Sequence, residues 1–366
     1  MSATELRVGV IGTSWWADAM YLPALTAHPR SRVVAVCGRD PDRTAAFAER
    51  WRVPLATTDP SRLLDAVDAV VVATPNDTHA PLAAAAIDAG VHLCLEKPVA
   101  LDAPTAHDLA CRAEAAGLVT LVPFTYRWMP HNRFVHHLVH SGAVGRVHHA
   151  SLRYYAGYAL RPGYQWRFDP AVAGAGVVGD LGSHWLHLAR WWLGECDAVA
   201  AHVGHHAERG PRPDGRPYEP AEDAATITLR LADGAWVSII VSAVAHEGGP
   251  FGQSHQAEVH GSDGTIHALC DWDTVQEVRY APAGGAEKPR RVEIPDEFWG
   301  GARRARVIDT YHDVFRSGDA MTRAWLDAVI EGRAIEPDLA EGARVQTLID
   351  AALASAASGG GFVPVD

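Results

Sequence analysis

Leu6-Arg7-Val8-Gly9-Val10-Ile11-Gly12-Thr13-Ser14-Trp15-Trp16-Ala17 is the stretch on which the fold turns. A β-branched apolar run stops at Gly12, and Met20, Leu22, Ala24 and Leu25 follow with helical spacing. Strand, tight turn and helix in that order open a dinucleotide-binding unit, in which the N–H groups at the helix start receive a pyrophosphate. The usual spacing G-x-G-x-x-G/A reads here Gly12-x-Ser14-x-x-Ala17. Gly12 makes the turn, and Ala17 allows close helix packing. Ser14 replaces the glycine that lets backbone approach phosphate. Alone, a plain βα turn explains the stretch nearly as well.

The next segments repeat the pattern. Ser31–Cys37 reads as a second strand, followed by Gly38-Arg39-Asp40. Dinucleotide folds often end this strand with an acid for the ribose 2′-hydroxyl. Arg39 without that acid favours a 2′-phosphate, hence NADP over NAD as the expected cofactor. Asp40 before Pro41 also reads as a helix cap. Ala69–Ala73 is a strand, Thr74-Pro75-Asn76-Asp77-Thr78-His79 its loop, and residues 80–89 a helix. Val91–Leu95 is a buried strand that emerges at Glu96-Lys97-Pro98. Strands alternating with helices imply a doubly wound parallel sheet, an α/β Rossmann domain over residues 1–123. Right-handed crossovers bring Gly12, Gly38-Arg39, Thr74–Asn76 and Glu96-Lys97 to one sheet edge, where ligands bind.

From Phe124 the rhythm changes. Tyr126-Arg127-Trp128-Met129-Pro130 opens a helical segment that ends near Ser141-Gly142, and Gly145-Arg146-Val147 starts a strand. Thr226–Leu231 and Ala235–Val241 flank Asp233-Gly234, a hairpin signal, and Ser262-Asp263-Gly264 is a second turn. Residues 124–366 are therefore expected to form an α+β domain with a large, open, mostly antiparallel sheet. Residues 207–220 form a loop, and Met321–Ser355 two helices. One face of an open sheet needs a cover, so a homodimer or homotetramer through it is expected.

Gly174-Ala175-Gly176-Val177-Val178-Gly179-Asp180-Leu181-Gly182-Ser183-His184-Trp185-Leu186-His187 leads into a helix that Gly194 stops. Asp180, His184 and His187 share one polar stripe. Leu181, Trp185, Leu188 and Trp192 form a separate apolar stripe for the core. The polar stripe is expected on the face not used for packing. Its bland reading is a cap at Asp180 with ordinary polar histidines. Asp180, His184 and His187, or His202, His205 and His206, also have metal-ligand chemistry, but neither set carries a firm signature. No metal is expected.

Composition bounds the rest. The chain has 366 residues, 48% hydrophobic and 21% charged, which fits two globular domains. No apolar run reaches the roughly 20 residues of a membrane span, so no membrane partner is expected. The net charge of -12 disfavours nucleic acid. Five cysteines without paired spacing fit a reducing compartment. Met1-Ser2-Ala3-Thr4-Glu5 lacks the basic segment and apolar core of a signal peptide. A cytoplasmic location is the expectation.

Taken together, these motifs resemble the glucose–fructose oxidoreductase, inositol dehydrogenase and rhizopine-catabolism family (Gfo/Idh/MocA). The likeness rests on Thr74-Pro75-Asn76 with His79, on Glu96-Lys97-Pro98, on Tyr126-Arg127-Trp128, and on Ser141-Gly142-Ala143-Val144-Gly145. It continues through Trp166-Arg167, Gly174-x-Gly176 with Asp180-x-Gly182-x-His184, Glu222-Asp223 and Gly261-Ser262-x-Gly264. The resemblance implies hydride transfer between NADP or NAD and a secondary alcohol of a sugar, sugar derivative or cyclitol. It implies that Lys97, Asp180 and His184 match the family's catalytic triad, and that Lys97–Pro98 is cis. Gly12, Thr13, Ser14, Trp15, Arg39, Thr74, Pro75, Asn76, His79, Glu96 and Lys97 are the expected cofactor residues. Tyr126, Trp166, Arg167 and His187 are the expected substrate residues. Ser14 departs from the fingerprint. His187 stands where many members carry Asp, and Trp15-Trp16 is bulky beside the expected nicotinamide. Two other classes fit the same residues: a lyase or glycosidase that oxidises transiently with a retained cofactor, and a nucleotide-sensing regulator without chemistry.

Overall fold

The computed structural model describes residues 5–248, 252–285 and 288–365. Of the N-terminal stretch 1–5, read above as lacking the features of a signal peptide, residues 1–4 lie outside them. The described chain divides into two compact units. One is the chain up to Phe124 together with His312–Gln346; the other is Thr125–Tyr311 with the residues from Thr347 on.

In the first unit, β1 (Leu6–Ile11), β2 (Ser31–Cys37), β3 (Leu55–Thr57), β4 (Ala69–Val72), β5 (His92–Leu95) and β6 (Thr120–Leu121) form one sheet. Its order is β3-β2-β1-β4-β5-β6, and every pair is parallel. All four residues of β4 are buried, as a strand covered on both faces requires. The order reverses between β1 and β4, so a crevice opens beyond their C-terminal ends, at Gly12 and Thr74. Helix starts are written plainly in the sequence. Asp40, Asp59 and Asp102 each cap a helix with proline in the first turn, accepting from Arg43, Ser61 and Thr105 backbone N–H groups.

The segment His312–Gln346 belongs to this unit, whereas the sequence reading draws a single boundary at 123/124. Its residues extend the β6 edge. Val122 N–H donates to the Pro337 carbonyl (2.8 Å). Leu339 N–H donates to Thr120 Oγ1 (3.1 Å). The fully buried Trp325 donates its indole N–H to the Val119 carbonyl (3.3 Å).

The second unit is built on a sheet of β7 (Val147–Ala156), β8 (Cys196–Gly204), β9 (Ala224–Leu231), β10 (Trp236–Ser242), β11 (Gln253–Gly261), β12 (Gly264–Asp271), β13 (Val275–Pro282), β14 (Arg290–Val292) and β15 (Val363–Pro364). Their order is β14-β13-β12-β11-β7-β10-β9-β8-β15. Only β7 and β10 pair parallel; every other neighbouring pair is antiparallel. Both expected hairpins are present: β9–β10 around Gly234, whose φ is 88°, and β11–β12 around Asp263. Alternate residues of β9 (Ala225, Ile227, Leu229, Leu231) are buried. The helix Ser183–Leu193 packs against β7 and β10. No helix of the described residues is long and apolar enough to cross a membrane.

Candidate active site

Gly12 sits at φ 120°, and a side chain there would overlap the Ala73 carbonyl oxygen. Only glycine lets the β1 turn pass this close to the end of β4. The Ser14 hydroxyl accepts the Ala17 N–H (3.3 Å), capping the helical turn. Thr13 and Ser14 are part-exposed, and Trp15 projects into solvent with its edge against Trp16. This turn and helix start fit a dinucleotide pyrophosphate.

At the end of β2, Arg39 is exposed. Asp40 does cap the following helix (Arg43 N–H to Oδ1, 2.9 Å). The side chain that reaches the Gly12 turn is Arg43, which donates from Nε and Nη2 to the Thr13 carbonyl (3.1 and 2.7 Å). Sequence reading missed it because a first-turn arginine looks solvated.

After β4 and β5, two loops are stitched by one ring. His79 is fully buried, with Nδ1 2.7 Å from the Pro98 carbonyl oxygen and Nε2 2.9 Å from that of Thr74. Burial pushes its pKa down, opposed by those two carbonyls. Both nitrogens are spent on protein, so His79, expected among the cofactor residues, holds the loops rather than facing a ligand. The Thr78 hydroxyl bonds to Thr74 Oγ1 (2.7 Å) and the Pro75 carbonyl (2.6 Å), shaping the turn that continues through Asn76.

Glu96 is buried and accepts three hydrogen bonds. Trp16 Nε1 (2.5 Å) and the Tyr21 hydroxyl (2.6 Å) donate to Oε1, and the Lys97 N–H (3.2 Å) donates to Oε2. One carboxylate thus ties the helix after Gly12 to the loop that carries Lys97. The Lys97–Pro98 peptide is cis, and the Lys97 side chain is half-buried.

In the second unit a π turn, Val178–Gly182, precedes the helix Ser183–Leu193. Gly176 explains the glycine-rich approach: a side chain there would overlap the Glu222 carbonyl oxygen. Glu222 is buried, accepts the Val178 N–H at Oε1 (3.0 Å), and is held above the ordinary carboxylate pKa by burial. The π turn presents Asp180. Its Oδ2 accepts the Tyr158 hydroxyl (2.6 Å) and lies 3.3 Å from Arg167 Nε, whose guanidinium covers the Trp166 ring. Burial raises the Tyr158 pKa well above its usual value, so it stays a donor. Tyr158 was not visible from sequence, and Arg167 serves Asp180 as an ion-pair partner.

The polar-stripe expectation fails. His184 and His187 are both buried, like Trp185 and Leu188. The π turn breaks the 3.6-residue period between Asp180 and the helix, and aromatic rings supply the cover. The Tyr126 ring meets His184 edge-on at 4.6 Å, and His187 is stacked with Trp191 at 6.5 Å. Tyr126, expected to line the substrate pocket, is buried: it donates to the Tyr154 hydroxyl (2.7 Å), which donates to Gln253 Oε1 (2.7 Å). Its main chain is fixed too, because Asn132 Nδ2 donates to its carbonyl (2.9 Å). Among the described residues, neither histidine set weighed for metal brings its donor atoms together as tightly as a third set on β11 and β12 does.

Comparison with known proteins agrees with this arrangement. Residues 6–124 match the family model described as "Oxidoreductase family, NAD-binding Rossmann fold", and residues 132–267 match the GFO/IDH/MocA C-terminal domain. The chain is 30% identical to inositol 2-dehydrogenase 4 of Saccharopolyspora erythraea, over 84% of this chain and 88% of that protein. It is 27% identical to levoglucosan dehydrogenase of Pseudarthrobacter phenanthrenivorans, over 96% of each. A solved levoglucosan dehydrogenase, in complex with NADH and levoglucosan, superposes with a TM-score of 0.86 at 25% identity, covering 99% of this chain and 100% of that one. The chain therefore belongs to the GFO/IDH/MocA oxidoreductase family and is an NAD(P)-dependent dehydrogenase or reductase.

Proposed function

We propose that the protein reversibly oxidises a secondary alcohol of a sugar, sugar derivative or cyclitol, with NADP preferred over NAD. The observation that carries this reading is the triply bonded Glu96 carboxylate, which fixes the Lys97 loop to the helix of the nucleotide turn. Named relatives act on levoglucosan and inositol, which supports the alcohol class. Gly12, Thr13, Ser14 and Trp15 hold the pyrophosphate side of the cofactor, with Thr74, Pro75 and Asn76 along the neighbouring loop. Arg39 supports the NADP preference, because no acid ends β2 and its guanidinium is exposed.

When bound, the nicotinamide supplies or takes the hydride. In the oxidative direction the His184 imidazole accepts the hydroxyl proton. Lys97 donates a hydrogen bond to the same oxygen and stabilises its developing charge. Asp180, already held by Tyr158 and Arg167, supports the pair electrostatically. Trp166 and Arg167 shape the substrate side. A homo-oligomer through the outer sheet face and a cytoplasmic setting complete the proposal.

The test is a fluorescence titration of NAD(H) and NADP(H), followed by a sugar and cyclitol panel read as cofactor absorbance. Binding of NADPH with turnover of a polyol supports the reading. Binding of neither nucleotide, or product formed without free reduced cofactor, overturns it; the second outcome would assign the chain to transient-oxidation lyases.

A further inference from the structure

A cluster on the outer face of the second unit's sheet, the face proposed above for self-association, has no part in the chemistry above. Glu258 and His260 are two residues apart on β11 and so share a face. On β12, His267 lies opposite Glu258 and Thr265 opposite His260. One donor atom from each of Glu258, His260 and His267 lies within 4.8 Å of the other two. His260 Nε2 is 3.6 Å from Glu258 Oε2, and His260 Nδ1 is 3.2 Å from Thr265 Oγ1. On β7, His149 pairs with His260 and covers its ring at 4.7 Å between centroids. Trp236 in turn stacks with His149 at 5.8 Å.

We propose that Glu258, His260 and His267 bind a zinc-type divalent ion. Two imidazoles and a carboxylate form a borderline donor set, which suits zinc with water in the fourth position. Tetrahedral ligands about 2.0–2.1 Å from zinc stand roughly 3.4 Å apart. The donors therefore need to close by up to about 1.4 Å from 4.8 Å. Side-chain rotation supplies that, because paired strands fix the backbones while Glu258 and His260 remain partly exposed. With an ion bound at Nε2, His260 would carry its proton on Nδ1, where Thr265 Oγ1 at 3.2 Å can accept it, the usual way a second partner orients a ligating imidazole. The nearby cation is already engaged: Arg279, opposite His267, donates to Glu277 Oε1 at 2.7 Å.

The test uses tag-free, metal-stripped full-length protein titrated with Zn²⁺ by calorimetry and with Co²⁺ by visible absorption. The expected result is one equivalent per chain, with the intense ligand-field bands of low-coordinate Co²⁺. Thr265→Val weakens binding by about tenfold or more. The His260→Asn, His267→Asn double variant abolishes binding, whereas His205→Asn, at an exposed site on another loop, retains it. Circular dichroism checks that the double variant folds; Glu258→Gln, which keeps shape and removes charge, serves if it does not. Absence of saturable binding, or binding that survives the ligand variants, overturns the proposal. Half an equivalent per chain with metal-dependent doubling of mass overturns the single-chain site.

Discussion

The Trp16 indole N–H donates to the Glu96 carboxylate at 2.5 Å, across 80 residues of sequence. With Tyr21 and the Lys97 N–H on the same group, Glu96 is the fixed point of the first unit's ligand edge. Glu96→Ala strands three donors, one buried and two part-buried. A lost hydrogen bond to a charged group costs about 1.5–3 kcal/mol, and the remaining donors are not all rehydrated. The expected loss is about 2–4 kcal/mol of stability, read by urea denaturation. Glu96→Gln keeps the shape and should lose less. Equal stability of Glu96→Ala and wild type would remove Glu96 from this role.

Lys97 and His184 are predicted to separate binding from chemistry. Lys97→Met removes a donor to the developing oxyanion, which costs about 10²–10³-fold in kcat. His184→Asn removes the proton acceptor, worth about 10²–10⁴-fold. In both variants the cofactor dissociation constant should move by less than about threefold, since neither change removes the Gly12 turn. Stopped-flow hydride transfer together with nucleotide titration checks both. Wild-type turnover in either variant excludes that residue from the proposed triad.

Two glycines make a second contrast. Gly12→Ala meets the Ala73 carbonyl at a positive φ, and Gly176→Ala meets the Glu222 carbonyl. Neither obstacle is a flexible side chain, so backbone must shift. Strain of the first kind alone costs about 1–3 kcal/mol. Gly12→Ala is expected to abolish nucleotide binding. Gly176→Ala is expected to keep it while kcat falls, because the displaced turn carries Asp180. Identical behaviour of the two variants would count against this division of labour.

These contrasts also mark what sequence could and could not show. The β1 turn, the capping aspartates and the two hairpins are local, and each residue type states its own reason for being there. β3 has three residues, two half-buried and one exposed, too few for any periodicity. β8 carries three alanines, an aspartate and a glycine, residue types depleted in strands, and so signals weakly. The return of His312–Gln346 to the first sheet is a long-range packing event. Tyr158 meets Asp180 from 22 residues away with no spacing rule to announce it. The π turn shifts Asp180 against the helix, but His184 and His187 lie within the regular helix Ser183–Leu193, which is buried on all sides from Ser183 to Ala189, so no polar face is left to read.

Cofactor choice turns on Arg39. A charge-assisted bond to a 2′-phosphate contributes about 1.5–3 kcal/mol, or roughly 10–100-fold. Arg39→Ala should weaken NADPH by that factor and leave NADH nearly unchanged, as measured by parallel titrations. Arg43 gives the control: its guanidinium is committed to the Thr13 carbonyl, so Arg43→Ala should weaken both nucleotides. If Arg39→Ala leaves NADPH affinity intact, the NADP preference has no basis in this residue.

Stability should fall as pH drops below neutrality. His131 is buried, with Nδ1 donating to Gln276 Oε1 (3.3 Å), and burial pushes its pKa down to about 4. His255, enclosed by Tyr126, Tyr154 and Trp185, is driven well below the usual value by the same cause. Above the unfolded value near 6.5 both states are neutral and neither histidine adds a pH slope. Below it the unfolded chain takes up protons that the folded chain refuses until about pH 4. Each such histidine then removes about 1.4 kcal/mol per pH unit, so His131 alone removes about 2 kcal/mol by pH 5. Glu222, whose folded pKa is raised by burial, works in the opposite direction around the carboxylate range. Urea denaturation at pH 7, 6 and 5 should show the decline, and His131→Gln should flatten it by about one proton's slope. A variant whose slope matches wild type would mean that His131 takes up its proton equally in both states.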